Sequence, residues 1–270
     1  MATTTLLAPA APRWRPRGAL RGPVLGRNAL VLRHQWTSLL FGVLEPVLYL
    51  LSIGIGVGKM VGHIDGLGGA DVTYAEYVGP ALMAMAAMNG AVNSTTQAIF
   101  VKLKYENTYQ IMLTTPLMPR DIALGEVCTA LLRGSVESVG FLGIMALMGM
   151  VRSPWALLAL PGALLVGFSF AAMGLVAATY VRDWQDFQTL QLVMLPMFLF
   201  ATTFYPLQVY PGPIQALVRC LPLYHSIDLL REPILGEVGL KLLIPAGYLL
   251  AAGVAALWVG LRRLERRLED

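Results

Sequence analysis

Uninterrupted apolar blocks of roughly 18 to 30 residues recur along this chain, and they settle its class before any motif is considered. A helix needs about 20 apolar residues to cross a hydrocarbon core. The strands of a membrane barrel instead alternate over about 10 residues, and these blocks do not alternate. Composition agrees with helices in a bilayer: 56% of the 270 residues are hydrophobic and 13% are charged, against about 25% charged in a typical soluble domain. The chain reads as an all-α integral membrane protein. A net charge of +4, gathered near the ends, gives no footprint for nucleic acid. Cys128 and Cys220 stand far apart and form neither a disulfide framework nor a CxxC metal or redox pair.

Six runs are long enough to span: Ser38 to Val57, Tyr77 to Phe100, Ile122 to Met150, Trp155 to Val181, Phe187 to Phe204 and Leu242 to Leu261. Residues 1–23 are expected to be a basic, disordered cytoplasmic start. Arg13, Arg15, Arg17, Arg21, Arg27 and Arg33 precede the first acid, which places the N-terminus in the cytoplasm by the positive-inside rule. Over residues 24–37, Leu25, Ala29, Leu32 and Trp36 share one helical face, as expected of an amphipathic helix lying along the membrane surface. Asp65, Asp71 and Glu76 give the first connection an acidic excess outside. Lys102, Lys104, Arg120 and Arg182 return the second and fourth connections to the inside. The tail, 262–270, brings Arg262, Arg263, Arg266 and Arg267 to the cytoplasmic side, so the number of spans is even. Residues 38–261 are thus expected to form a six-span transmembrane domain. Between its last two spans, residues 205–237 are cut by Pro211, Pro213, Pro222 and Pro233 into pieces too short to cross. They are expected to be two short re-entrant helices on the outer side, with protein or water covering their exposed backbone.

Catalytic signatures are missing. His34, His63 and His225 are isolated, and no HExxH zinc site exists. "GFSFA" at Gly167 lacks the second glycine of a nucleophile elbow. "GIGVGKM" at Gly54 fails as a P-loop, because Met60 occupies the position that needs Ser or Thr. Gly54 and Gly58 suit close helix packing instead. The chain is expected to be non-catalytic and to bind no cofactor of its own.

Ionisable side chains inside spans are expensive and therefore informative. Glu45 precedes Pro46 in the first run, and Glu126, Arg133 and Glu137 lie on one stripe of the third. Arg133 and Glu137 can pair at i, i+4. They read either as a structural pair near a helix end or as a polar stripe facing a translocation path. Asn89, Asn93 and Thr96 share a face of the second run and suit interhelical hydrogen bonds or a hydrophilic lining. Phe198, Phe200 and Phe204 close the fifth run, as an interfacial belt or as a constriction above a cavity.

The second connection, "KYENTYQIMLTTPLMPRDIALGE", is far longer than a turn between helices requires. Tyr105, Tyr109 and Met112 fall on one side, Glu106 and Gln110 elsewhere, and the segment must stop before Pro116. A short amphipathic helix parallel to the membrane over about 105–117 is expected, which is what a permease would present to a separate motor.

With "EPVLYLLSIGIGVG", "ENTYQIMLTTPLMPRDIALGE", "LPMFLFATTFYPL" and "LPLYHSIDLLR" in this order, the chain resembles the permeases of the type-2 (type V) ABC exporters, especially the nodulation-factor lipo-oligosaccharide and daunorubicin-resistance branches. The resemblance implies a permease of the bacterial cytoplasmic membrane that pairs with a second copy or a close relative. Two copies of an ABC ATP-binding subunit, which hold ATP and Mg, would drive it. It also implies that Tyr105, Glu106, Asn107, Thr108, Tyr109, Gln110, Ile111, Met112, Leu113 and Pro116 belong to the coupling helix that docks on the ATPase. The implied cargo is an amphiphile: a lipo-oligosaccharide, a glycolipid or, as in multidrug efflux, a hydrophobic drug. An ion-coupled secondary transporter is the alternative; it would need carboxylates near the membrane midplane, and Glu45 is the one acid near a span centre.

Overall fold

The computed structural model describes residues 36–61, 63–67, 70–106, 109 and 119–269. Residues 1–23 and all but the last two residues of the expected interface helix over 24–37 lie outside that set.

Helix α1, Trp36–Tyr49, contains Pro46 and runs on as a π-helical stretch, Leu50–Ile55. Proline has no N–H to give and its ring displaces the carbonyl four residues earlier. That carbonyl is Gly42's, so the helix is weakened where its polar neighbours gather. A one-turn helix, Gly58–Val61, leads to an antiparallel hairpin of β1, His63–Leu67, and β2, Ala70–Thr73. The acidic outer connection expected from sequence is therefore a small hairpin, the one departure from an all-α chain among the described residues.

Helix α2, Tyr74–Lys104, starts at a capping box in which the Glu76 N–H donates to Thr73 Oγ1 and the Thr73 N–H donates to Glu76 Oε2. Lys102 and Lys104 sit in its last turn, where cations favour the helix dipole. Helix α3, Pro119–Leu147, is followed by a 3-10 turn, Pro154–Leu158, and α4, Ala159–Ala178. Then come α5, Asp186–Phe200, the short pair α6, Gly212–Arg219, and α7, Pro222–Leu235, and finally α8, Leu243–Glu269.

Helices α2 and α4 pack together at the centre, with α3 and α8 beside them, α7 against α2, α4 and α8, and α1 on the α3 side. The α2–α4 approach is close: a Cβ at Gly174 would stand 3.2 Å from the Val92 backbone. Thr96 Oγ1 donates to the Gly174 carbonyl at 3.2 Å. By contrast α5 stands apart, with Met194 its one buried residue.

Helices occupy all six predicted runs, and among the described residues four segments are both long and apolar enough to cross a membrane: Trp36–Met60, Arg120–Leu147, Pro154–Ala178 and Leu240–Arg267. Helix α2 has 31 residues but is diluted by its polar half, and α5 has only 15. The fifth run ends as a helix at Phe200 rather than Phe204, because Thr202 turns left-handed at φ 61° and Pro206 follows. Residues 205–237 do hold two short helices. Pro213 falls in the first turn of α6 and Pro222 in that of α7, where proline's missing N–H costs nothing.

Candidate functional site

A polar cleft of about 270 Å³ opens between α1, α2 and α3. It gathers Glu45 from α1, Asn89 and Asn93 from α2, and Arg133 and Glu137 from α3, five residues singled out separately in the sequence. Pro46 and Gly42 line it too.

The floor is an ion pair tied to a neighbouring helix. Arg133 Nε donates to Glu137 Oε1 at 2.9 Å, and Arg133 Nη2 donates to Ser38 Oγ at 2.7 Å. Glu137 is buried, and its carboxylate occupies a gap that two glycines leave open. A Cβ at Gly42 would fall 2.3 Å from Oε1, and one at Gly90 would fall 2.8 Å from Oε2. Burying a charge is tolerable only when it is paired and hydrogen-bonded, and here both conditions hold. Glu45 is exposed and has no ion-pair partner among the described residues.

Other predicted site residues fall elsewhere. Glu126, on the same stripe as Arg133, is buried at the far end of α3, where Lys102 Nζ donates to both its oxygens at 2.6 and 2.8 Å. Thr96 is turned into α4. Phe198 packs edge-to-face on Phe204 at 5.3 Å, and Phe200 stands 6.3 Å from Tyr210; none of the three lines the cleft.

At the end of the bundle bearing Lys102, Lys104 and Arg120, the expected coupling segment is partly described. Tyr105 caps α2, is exposed, and accepts a hydrogen bond from Trp184 Nε1 at 3.0 Å. Phe100 meets Tyr105, Trp184 and Phe187 edge-on at 5.7, 5.3 and 5.3 Å. Lys104 Nζ donates to Asp183 Oδ1 at 2.6 Å, which raises the lysine's pKa. The N–H groups of Arg182 and Asp183 hold Asp186 below the usual carboxylate range. Glu106 is exposed. Tyr109 is 1% exposed, packed in a cluster with Ile99, Ile122, Leu175 and Leu264. It is packed into the bundle. Asn107, Thr108, Gln110, Ile111, Met112, Leu113 and Pro116 lie outside the described residues.

Sequence reasoning missed two linkages at the opposite, hairpin end. Arg152 donates through Nε and Nη2 to both oxygens of Glu76 at 2.7 Å each. Arg231, 4% exposed, stacks 3.9 Å over the Tyr77 ring and donates from Nη2 to the Thr202 carbonyl at 2.9 Å. Tyr77 OH donates to that same carbonyl at 3.2 Å, so one clamp joins α2, α7 and the left-handed turn after α5. An arginine in a helix that reads as half-apolar was the available signal.

Residues 24–235 match the family model described as ABC-2 type transporter. The chain is similar to nodulation protein J of Rhizobium leguminosarum bv. viciae, 32% identical over 232 residues, covering 86% of this chain and 88% of the relative. The Rhizobium meliloti (strain 1021) protein of that name is 30% identical over 232 residues, 86% and 87% of the two chains. The Bradyrhizobium diazoefficiens one is 28% identical over 244 residues, 90% and 91% of the two chains. A helical bundle with membrane-length apolar helices, a polar cleft among them and a family match over most of its length establish that the chain belongs to the ABC-2 type transporter family, as a membrane permease.

Proposed function

We propose that this chain is the transmembrane subunit of an ATP-driven exporter of the bacterial cytoplasmic membrane, moving an amphiphilic molecule. The observation that carries the reading is the charge-lined cleft between α1, α2 and α3, an expensive feature to keep inside an apolar bundle unless something polar uses it. The four membrane-length helices, together with α2 and α5, make six spans with both chain ends in the cytoplasm, and α6 and α7 are re-entrant on the outer side. Lys102, Lys104 and Arg120, which flank the α2–α3 connection, and the arginines of the tail support that orientation.

The motor is a separate ATP-binding subunit, present twice and holding ATP and Mg, and the permease acts as a pair with a second copy or a close relative. Residues 105–117 form the coupling element. Tyr105 ties its start to Trp184 and Phe100, and Tyr109 plugs it into the cluster shared by α2, α3, α4 and α8, so a push on it reaches four helices at once. Rigid halves rocking about a central site then expose it alternately to the two sides. The resemblance to nodulation-factor exporters favours a lipo-oligosaccharide or glycolipid as cargo over a hydrophobic drug.

The test is to purify the tagged protein from its native membrane in mild detergent and identify what accompanies it. A P-loop ATPase in equal amount is the expected result. Its reproducible absence from a folded preparation would overturn the half-transporter reading and shift weight to an ion-coupled carrier built on Glu45.

A further inference from the structure

We infer that the α1–α2–α3 cleft holds an uncharged, hydroxyl-rich headgroup, while the apolar part of the same molecule lies outside along α1. This rests on the permease reading in taking the bound molecule as cargo, and it goes further in assigning that cargo's polar end to one place.

The floor of the cleft is already neutralised. Arg133 Nε is engaged by Glu137 and Nη2 by Ser38, and the Glu137 oxygens are enclosed by Gly42 and Gly90, so the pair is neutral as a unit. What remains for a ligand is Asn89, Asn93, Ser94 and Gln97 along α2, with Glu45 facing them from α1. Amides and hydroxyls both give and accept hydrogen bonds, and a carboxylate accepts from two donors at once. Vicinal hydroxyls match that lining, since each is donor and acceptor. An amine would engage Glu45 and at most two further oxygens, and having no acceptor it would give nothing to the N–H groups of Asn89, Asn93 and Gln97. An anion would face two carboxylates against one guanidinium.

Size and surroundings point the same way. Pockets for whole drug-sized molecules run roughly 300–1,000 Å³, so about 270 Å³ suits a headgroup alone. Phe41 lines the cleft and is 65% exposed, offering a ring face at its rim. Beyond it Leu40, Leu44 and Leu48, at i, i+4 and i+8, form an exposed apolar stripe on α1 along which an alkyl chain can lie.

The test uses the full chain in phosphatidylcholine nanodiscs, without nucleotide, and a dodecyl maltoside carrying a photoactivatable diazirine in its alkyl chain. Labelled peptides are mapped by mass spectrometry, with unlabelled dodecyl maltoside, dodecyltrimethylammonium and dodecyl sulfate as competitors. Saturable labelling within residues 40–48, displaced at least tenfold better by the maltoside than by either ion, is expected. Asn93→Leu should weaken labelling about tenfold, and Glu45→Gln, which removes the charge and turns one acceptor into a donor, should weaken it less and leave the maltoside the best competitor. Asn93→Asp, nearly isosteric, serves if Asn93→Leu fails to fold; its lost donor should also weaken labelling. Displacement chiefly by the trimethylammonium compound, with loss in Glu45→Gln, would overturn the inference in favour of a cation site. Labelling indifferent to Asn93→Leu and Asn93→Asp would overturn it as mere partitioning of the alkyl chain. Because no ATP is needed, a failure of ATP-driven transport with labelling intact would sink the exporter reading and leave the headgroup site standing.

Discussion

Two arginine–glutamate pairs, one at the hairpin end and one in the cleft, use the same chemistry for different ends. Arg152 and Glu76 come from different parts of the chain, meet through two hydrogen bonds of 2.7 Å, and reinforce a capping box at the first turn of α2. That pair is a brace. Arg133 and Glu137 are one turn apart on α3 and share a single contact of 2.9 Å, yet Ser38 of α1 and two glycines on α1 and α2 are shaped around them. Such an arrangement contributes little net stability, because pairing in the interior only offsets the desolvation of both charges. It does give the cleft a neutral polar floor, and breaking half of it is far worse than never having had it.

The contrast is broken most severely at Arg133. Arg133→Leu leaves Glu137 buried without its partner and is expected to lower stability by about 3–5 kcal/mol. Adding Glu137→Leu should recover most of that loss, as thermal unfolding in detergent would show; a double variant worse than the single one would contradict the neutral-floor account. Gly42→Ala comes next, at about 1–3 kcal/mol of overpacking, since its new Cβ would fall 2.3 Å from Glu137 Oε1. Glu137→Ala in the same chain should relieve it, and no relief in the melting temperature would mean that the glycine serves some other contact.

Arg152→Ala should cost less, about 1 kcal/mol, because a third of the arginine side chain is exposed and solvent screens the pair. Its signature is pH dependence. Burial pushes Glu76 up, but the hydrogen bonds from Arg152 and Thr73 outweigh it, so its pKa is lowered. The carboxylate's contribution is therefore full above its unfolded pKa of about 4.3 and is lost as pH falls through the lower folded value. The wild type should lose stability on acidification through that window, and Arg152→Ala should flatten the loss; parallel profiles would remove Arg152 from the account. Smallest of all is Lys104→Gln, which breaks a fully exposed pair with Asp183 and should leave the melting temperature unchanged within error.

Much of the bundle was legible because the bilayer allows few solutions: a long apolar run has to be a helix. Glu45, Asn89, Asn93, Arg133 and Glu137 stood out for the same reason, as polar side chains where each one is expensive. Their meeting in one cleft was not legible, since which faces of three helices converge depends on packing between segments far apart in sequence. Gly42 and Gly90 drew no attention, because nothing on their own helices reveals a carboxylate aimed at them. Thr96 shows the converse: it shares a helical face with Asn93, but the close approach at Gly174 gave it a backbone carbonyl on α4 instead. Tyr105 and Tyr109 are expected on one side of an amphipathic segment, yet Tyr105 is exposed and Tyr109 is buried in the bundle, a difference that periodicity alone does not carry. The fifth run was read four residues too long because apolarity continues through Phe204, whereas the left-handed turn at Thr202 that ends the helix depends on its carbonyl receiving Tyr77 and Arg231.

The measurement that tests the central claim most directly is transport in proteoliposomes holding this chain with and without its co-purified ATPase, supplied with ATP or with an imposed proton or sodium gradient. A dodecyl maltoside carrying a fluorophore on its alkyl chain reports the leaflet it occupies by its accessibility to a membrane-impermeant quencher. The account predicts movement that needs both proteins and ATP and is indifferent to the gradients. Movement by this chain alone, driven by a gradient and abolished by Glu45→Gln, would contradict it.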